Sequence, residues 1–179
     1  MIGLIILAKP LIILVLKEQW LPMVPMLQIL CIDWMFDHLN MINLNVLYVK
    51  GRTDIAFRNE IIKKTLAIII FFISLHWDII GVCWGRVVYG FIAIYINSYY
   101  TKRLIGLDIV NQLRDIIKPL SYALFMGLFI YIISILPIDS CFTISIGIMV
   151  GILVYVLTLF RFNLAFVAEI RTLLSKLKN

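Results

Sequence analysis

Charge is scarce in this sequence. Asp, Glu, Lys and Arg make up 15% of the 179 residues, 63% are hydrophobic and the mean hydropathy is +1.05. An ordinary soluble domain carries about a quarter charged residues, so that class is excluded. Cysteine is thin as well. Cys31, Cys83 and Cys141 lie in or beside apolar runs, in odd number and without metal-ligand spacing, which excludes a disulfide framework and a zinc motif and leaves small packing residues. The two histidines, His38 and His76, fall near opposite limits of different apolar segments. No nucleophile pattern, carboxylate-histidine metal motif or glycine-rich phosphate loop accompanies them. The sequence therefore reads as no enzyme, with no cofactor and no metal.

What charge there is has been sorted. Thirteen of the sixteen Lys and Arg residues fall in segments 50–64, 102–118 and 161–178. Cytoplasmic loops of membrane proteins accumulate these residues and translocated loops stay poor in them, which places all three segments and the C-terminus on the cytoplasmic side. The net charge of +6 is carried beside apolar spans. Its expected neighbours are membrane lipids with anionic headgroups, not nucleic acid.

Six spans fit between the charges, at 2–16, 26–48, 61–75, 79–99, 120–136 and 142–160. The predicted fold is all-α: a polytopic transmembrane bundle of about six helices over residues 1–160, both termini cytoplasmic, followed by a cytoplasmic amphipathic tail at 161–179. A crossing of a 30 Å hydrocarbon core takes roughly 20 residues at about 1.5 Å each. The first span is short for that, and Lys9 beside Pro10 interrupts it, so the chain is expected to start inside a longer helix, with no cleavable signal before it. Trp20 with Pro22 and Pro25, Trp77 with Asp78, and Pro137 with Asp139 mark three translocated turns. Tyr48, Tyr99, Tyr100 and Phe162 mark the opposite interface.

Two stretches have the periodicity of helices lying on the membrane surface. One is 109–118, after which Pro119 is expected to restart the chain. The other is the tail, where Val167, Ile170, Leu173, Leu174 and Leu177 share a face. Gly81 with Gly85, and Gly147 with Gly151, are spaced for close helix contact.

Polar residues inside the spans are the candidates for function, since a polar group at membrane depth is costly unless it faces protein or water. The second span carries Asp33, Asp37 and Asn40 at three- and four-residue spacing, with Asn43 and Asn45 one step round. His38 lies off the Asp33 and Asp37 face. Two readings stand open: hydrogen bonding between helices, or the lining of a water-filled cavity. Lys9 and Arg86 are isolated cations. Each can pair with Asp33 or Asp37, or attract a phosphate or pyrophosphate.

Several segments carry a resemblance. They are the run from Pro10 through Trp20-Leu21-Pro22 to Cys31, then Asn43-Leu44-Asn45, Lys50-Gly51-Arg52-Thr53-Asp54 and Asn59-Glu60-Ile61-Ile62-Lys63-Lys64. Gly81-Val82-Cys83-Trp84-Gly85, Ile96-Asn97-Ser98-Tyr99-Tyr100 and Gln112-Leu113-Arg114-Asp115 follow. From about residue 3 to residue 160 the chain resembles the C-terminal part of Wzx-type polysaccharide exporters of the MATE/MOP superfamily. The resemblance implies a flippase of the bacterial cytoplasmic (inner) membrane. Such proteins move undecaprenyl-pyrophosphate-linked oligosaccharide to the outer leaflet for polysaccharide biosynthesis of the O-antigen and lipopolysaccharide kind. It also implies a missing N-terminal bundle, to be supplied by a separate chain or a second copy. Lys9 and Arg86 would attract the pyrophosphate, and Asp33, Asp37, His38 and Asn40 would line the cavity. Lys9, Asp33, Trp34, Asp37 and Arg86 depart from the family's usual residues. Two other functions stay open: a cation-coupled multidrug exporter using Asp33 and Asp37, and a non-transporting scaffold for glycan assembly.

Overall fold

The computed structural model describes residues 1–136 and 139–162. Six α-helices account for almost all of them: α1 (Ile2–Leu16), α2 (Val24–Val49), α3 (Thr53–Ser74), α4 (Asp78–Ile105), α5 (Ile109–Ile135) and α6 (Ser140–Phe162). No strand occurs among the described residues. Three helical stretches are long and apolar enough to cross a membrane: Thr53–Ile105, Ile109–Ile135 and Ser140–Arg161. The first of these is two helices, because a 3₁₀ turn at Leu75–Trp77 and a left-handed φ of 59° at Asp78 separate α3 from α4. Large apolar side chains such as Phe72, Ile79, Leu128 and Met149 are exposed. A surface this apolar is suited to hydrocarbon and not to water.

The helices assemble in two groups. Helices α2, α3 and α4 pack together, with α2 against α4 the most extensive helix contact among the described residues. Helices α1, α5 and α6 form the other group, and α1 also touches α2. Small residues set the closest approaches. A Cβ at Gly85 would stand 2.8 Å from Ser74 Oγ on α3, and one at Gly151 would stand 2.9 Å from Ile130 on α5. Both predicted glycine pairs thus sit at crossings, where van der Waals contact replaces the hydrophobic drive that lipid removes.

The helix limits follow local chemistry. Gly106 ends α4 in the left-handed conformation at φ 75°, its N–H donating to Lys102 O at 2.9 Å. Only glycine takes that conformation without a Cβ penalty. Asp108 then starts α5, its carboxylate accepting from Ile109 N–H at 2.8 Å and from Lys102 Nζ at 2.7 Å. At the other side of the molecule, a 3₁₀ turn at Glu18–Met23 carries Trp20 and Pro22 between α1 and α2.

One expectation fails here. Residues 109–118 are not a separate surface helix, since α5 continues unbroken through Pro119. The reason lies in Gln112. Its side chain is buried and exchanges two hydrogen bonds with Asn43 of α2, donating at 3.0 Å and accepting at 2.8 Å. That amide pair draws the first turns of α5 into the bundle. Proline inside the helix removes one backbone bond, a loss that neighbouring helices offset in membrane bundles. The amphipathic tail expected at 161–179 has only Arg161 and Phe162 within α6, and its remainder lies outside the described residues.

The Lys102 ammonium beside Asp108 holds that carboxyl below its ordinary range, with the Ile109 N–H adding to the effect. A depressed carboxyl contributes stability in full above about pH 4 and loses it as pH falls through the lowered value. In Lys102→Gln, the Asp108 carboxyl resonance in an NMR titration should move up toward the ordinary carboxylate midpoint. An unchanged midpoint would assign the shift to another cause.

Candidate functional site

The predicted polar residues of α2 meet α4 along one seam. The two helices run parallel, because Asp33 meets Arg86 and Gly90, Phe36 meets Phe91 with ring centroids 5.3 Å apart, and Asn40 meets Asn97. Further along, the Thr101 hydroxyl donates to Asn43 O at 3.4 Å and to Asn97 O at 3.1 Å. The seam therefore carries a polar contact at nearly every turn.

The charged level is the most constrained. Arg86 Nε lies 3.0 Å from Asp33 Oδ2, and the Asp33 side chain is only 3% exposed. The N–H is not aligned on that oxygen, so Oδ2 is matched by charge without a hydrogen bond. Its companion Oδ1 presses against α4 at Gly90, where a Cβ would come within 2.2 Å. Any side chain at 90 displaces the carboxylate. The glycine and the arginine, one turn apart on α4, together form the cradle for Asp33. On its other side Arg86 stands over the Tyr89 ring, 5.3 Å from the centroid, and its side chain is 42% exposed. There it helps line a groove of about 610 Å³ between α3 and α4, whose other walls include Ile70, Phe71, Phe72 and Val82.

The remaining candidates divide. Asp37 and Asn40 are half-buried, and Asn40 Nδ2 donates to Asp37 Oδ1 at 3.4 Å. With Asp33, Phe36 and Gly90 they border a cleft too narrow to admit a water molecule. His38 and Asn45 are exposed on another face of α2. Lys9 is exposed on α1 and makes no ion pair among the described residues. Of the pairings open to the two isolated cations, the structure contains Arg86 with Asp33. Among the described residues no group of three His, Cys, Asp or Glu is placed to hold a metal ion.

Sequence reasoning missed a second polar layer. Asn59 is fully buried, with neither amide atom hydrogen-bonded, and Lys63 is buried and ion-paired to Glu60. The signal was present, since Ala56, Asn59 and Lys63 follow helical spacing and α3 begins eight residues before the apolar run does. Asn97, Ser98, Thr101 and Gln112 carry no candidate role in the spacing argument above. All four are buried: Asn97, Thr101 and Gln112 bond Asn40 or Asn43 of α2, and Ser98 accepts from Gln112.

No protein-family model, curated protein or solved structure matches this chain.

The cradle yields a test. Asp33→Asn and Arg86→Gln should each destabilise the chain, and the double variant should lose less than their sum, with a coupling of about 1–3 kcal/mol in detergent unfolding. Gly90→Ala should mimic the loss of the pair. Additive single effects would show that the two charges do not interact.

Proposed function

We propose that this chain is one helical bundle of a lipid-linked oligosaccharide flippase of the Wzx type, resident in the bacterial cytoplasmic membrane. It crosses six times, with both termini cytoplasmic. The observation that carries the reading is the groove between α3 and α4, with long apolar walls and one half-exposed guanidinium. A polyprenyl pyrophosphate has the same two parts, an apolar chain and an anionic head. Arginine's planar fork suits phosphate oxygens, and the low dielectric of the surroundings strengthens the attraction.

The function also needs a second body. The cleft that Asp33, Asp37 and Asn40 border admits no water molecule. A substrate cavity forms only where this bundle faces another, supplied by a separate N-terminal bundle or a second copy. Rocking of the two around a midplane site would then expose the cargo to each leaflet in turn. The cation-coupled exporter reading is weakened at Asp33, whose charge Arg86 already matches.

Reconstitution tests this. The chain in vesicles with a Wzx-type N-terminal bundle should make a fluorescent undecaprenyl-pyrophosphate-linked oligosaccharide accessible at the opposite leaflet, and neither half alone should do so. Arg86→Gln should slow transfer about tenfold or more, the worth of a charge-assisted contact of about 1.5–3 kcal/mol. Movement of a fluorescent cationic drug without movement of the lipid-linked sugar would overturn the assignment.

A further inference from the structure

A second cationic site lies at the opposite end of the α3 and α4 pair, where the α2–α3 and α4–α5 connections come together. Arg52, Arg58 and Arg103 surround a polar pocket of about 590 Å³ with Asp54 and Tyr100. That volume falls within the range of about 300–1,000 Å³ usual for ligand sites. Three guanidiniums against one carboxylate leave the pocket strongly positive.

The neighbouring charges are arranged differently. Lys102 is neutralised by Asp108 at 2.7 Å, whereas Arg103, the next residue, makes no hydrogen bond or ion pair among the described residues. Arg52 spends its charge on Asp54, through Nε at 3.2 Å and Nη2 at 3.3 Å. Arg58 is held in place without being neutralised: its Nη2 donates to Tyr100 Oη at 2.7 Å, and the guanidinium stands 5.7 Å from the ring centroid. Because Tyr100 Oη accepts there, its own O–H proton stays free to donate to a ligand in the pocket. Two guanidinium forks with unused N–H groups and one phenol O–H are the donor set that a phosphate group satisfies.

We propose that this pocket binds the phosphate headgroup of an anionic membrane lipid. The position favours that source over a soluble phosphate compound. The pocket opens where the apolar bodies of α3 and α4 end, beside Tyr99 and Tyr100, the residue type that settles at headgroup level. A lipid anchored there bridges the start of α3 to the end of α4 and fixes their mutual position. The inference is independent of transport, since it concerns a different end of the bundle and no residue of the Asp33 cradle.

Native mass spectrometry of the full chain, released from micelles doped with phosphatidylglycerol or phosphatidylcholine, reads the occupancy. Retention should favour phosphatidylglycerol and fall about tenfold in Arg103→Gln, which breaks no hydrogen bond or ion pair among the described residues, and in Arg58→Gln. Lys102→Gln, the same charge change outside the pocket, should leave retention unchanged. An equal loss in all three variants would reveal diffuse surface attraction and overturn the site. Retention of inorganic phosphate or glycerol phosphate in place of the lipid would overturn the lipid assignment.

Discussion

The largest helix contact among the described residues, α2 against α4, is held without help from the hydrophobic effect. In hydrocarbon, lipid tails are as apolar as leucine, so burying apolar side chains between helices gains little. Polar pairs and small residues take over. The seam supplies both: Asp33 with Arg86 over Gly90, then the Phe36 and Phe91 rings, then the asparagine and threonine contacts toward the loops. Interhelical hydrogen bonds in membranes contribute about 0.6–2 kcal/mol each, so several in register outweigh any single one. Gln112 extends the arrangement to α5, and the close approach at Gly85 adds α3.

The same interface explains how a carboxylate is kept inside the bundle. Removing Asp33 from solvent is costly, and a matched cation within 3.0 Å offsets the cost. Arg86 is not consumed by the pair. Its guanidinium faces Asp33 on one side and an apolar groove on the other, so it serves structure and stays available to an anion. At the far end of α4 the three arginines repeat the theme in a setting closer to water, where their charge is largely uncompensated.

Helix positions were readable because apolar runs in a membrane protein are long and their ends carry Gly, Pro, Trp and charged residues. The 15-residue first helix and the turn at Trp77 and Asp78 correspond to such marks, whereas α4 runs past the expected limit at 99 to Ile105. Pairing was only half readable. Spacing put Asp33, Asp37 and Asn40 on one face, yet choosing Arg86 over Lys9 as a partner needed the parallel register of α2 and α4, which no local pattern encodes. Pro119 misled because local propensity favours a break, and the long-range amide pair of Gln112 with Asn43 prevailed. Asn59 and Lys63 were hidden by their charged neighbours, which resemble a loop until α3 is seen to extend through them.

The register of the seam is open to direct measurement. In a variant with Cys31, Cys83 and Cys141 replaced, Phe36→Cys and Phe91→Cys can be bridged in native membranes by a short bifunctional thiol reagent. The account predicts rapid cross-linking of that pair, slowed when Arg86→Gln removes the charge partner of Asp33. Cross-linking no faster than between Phe36→Cys and Phe125→Cys, or a rate indifferent to Arg86, would contradict it.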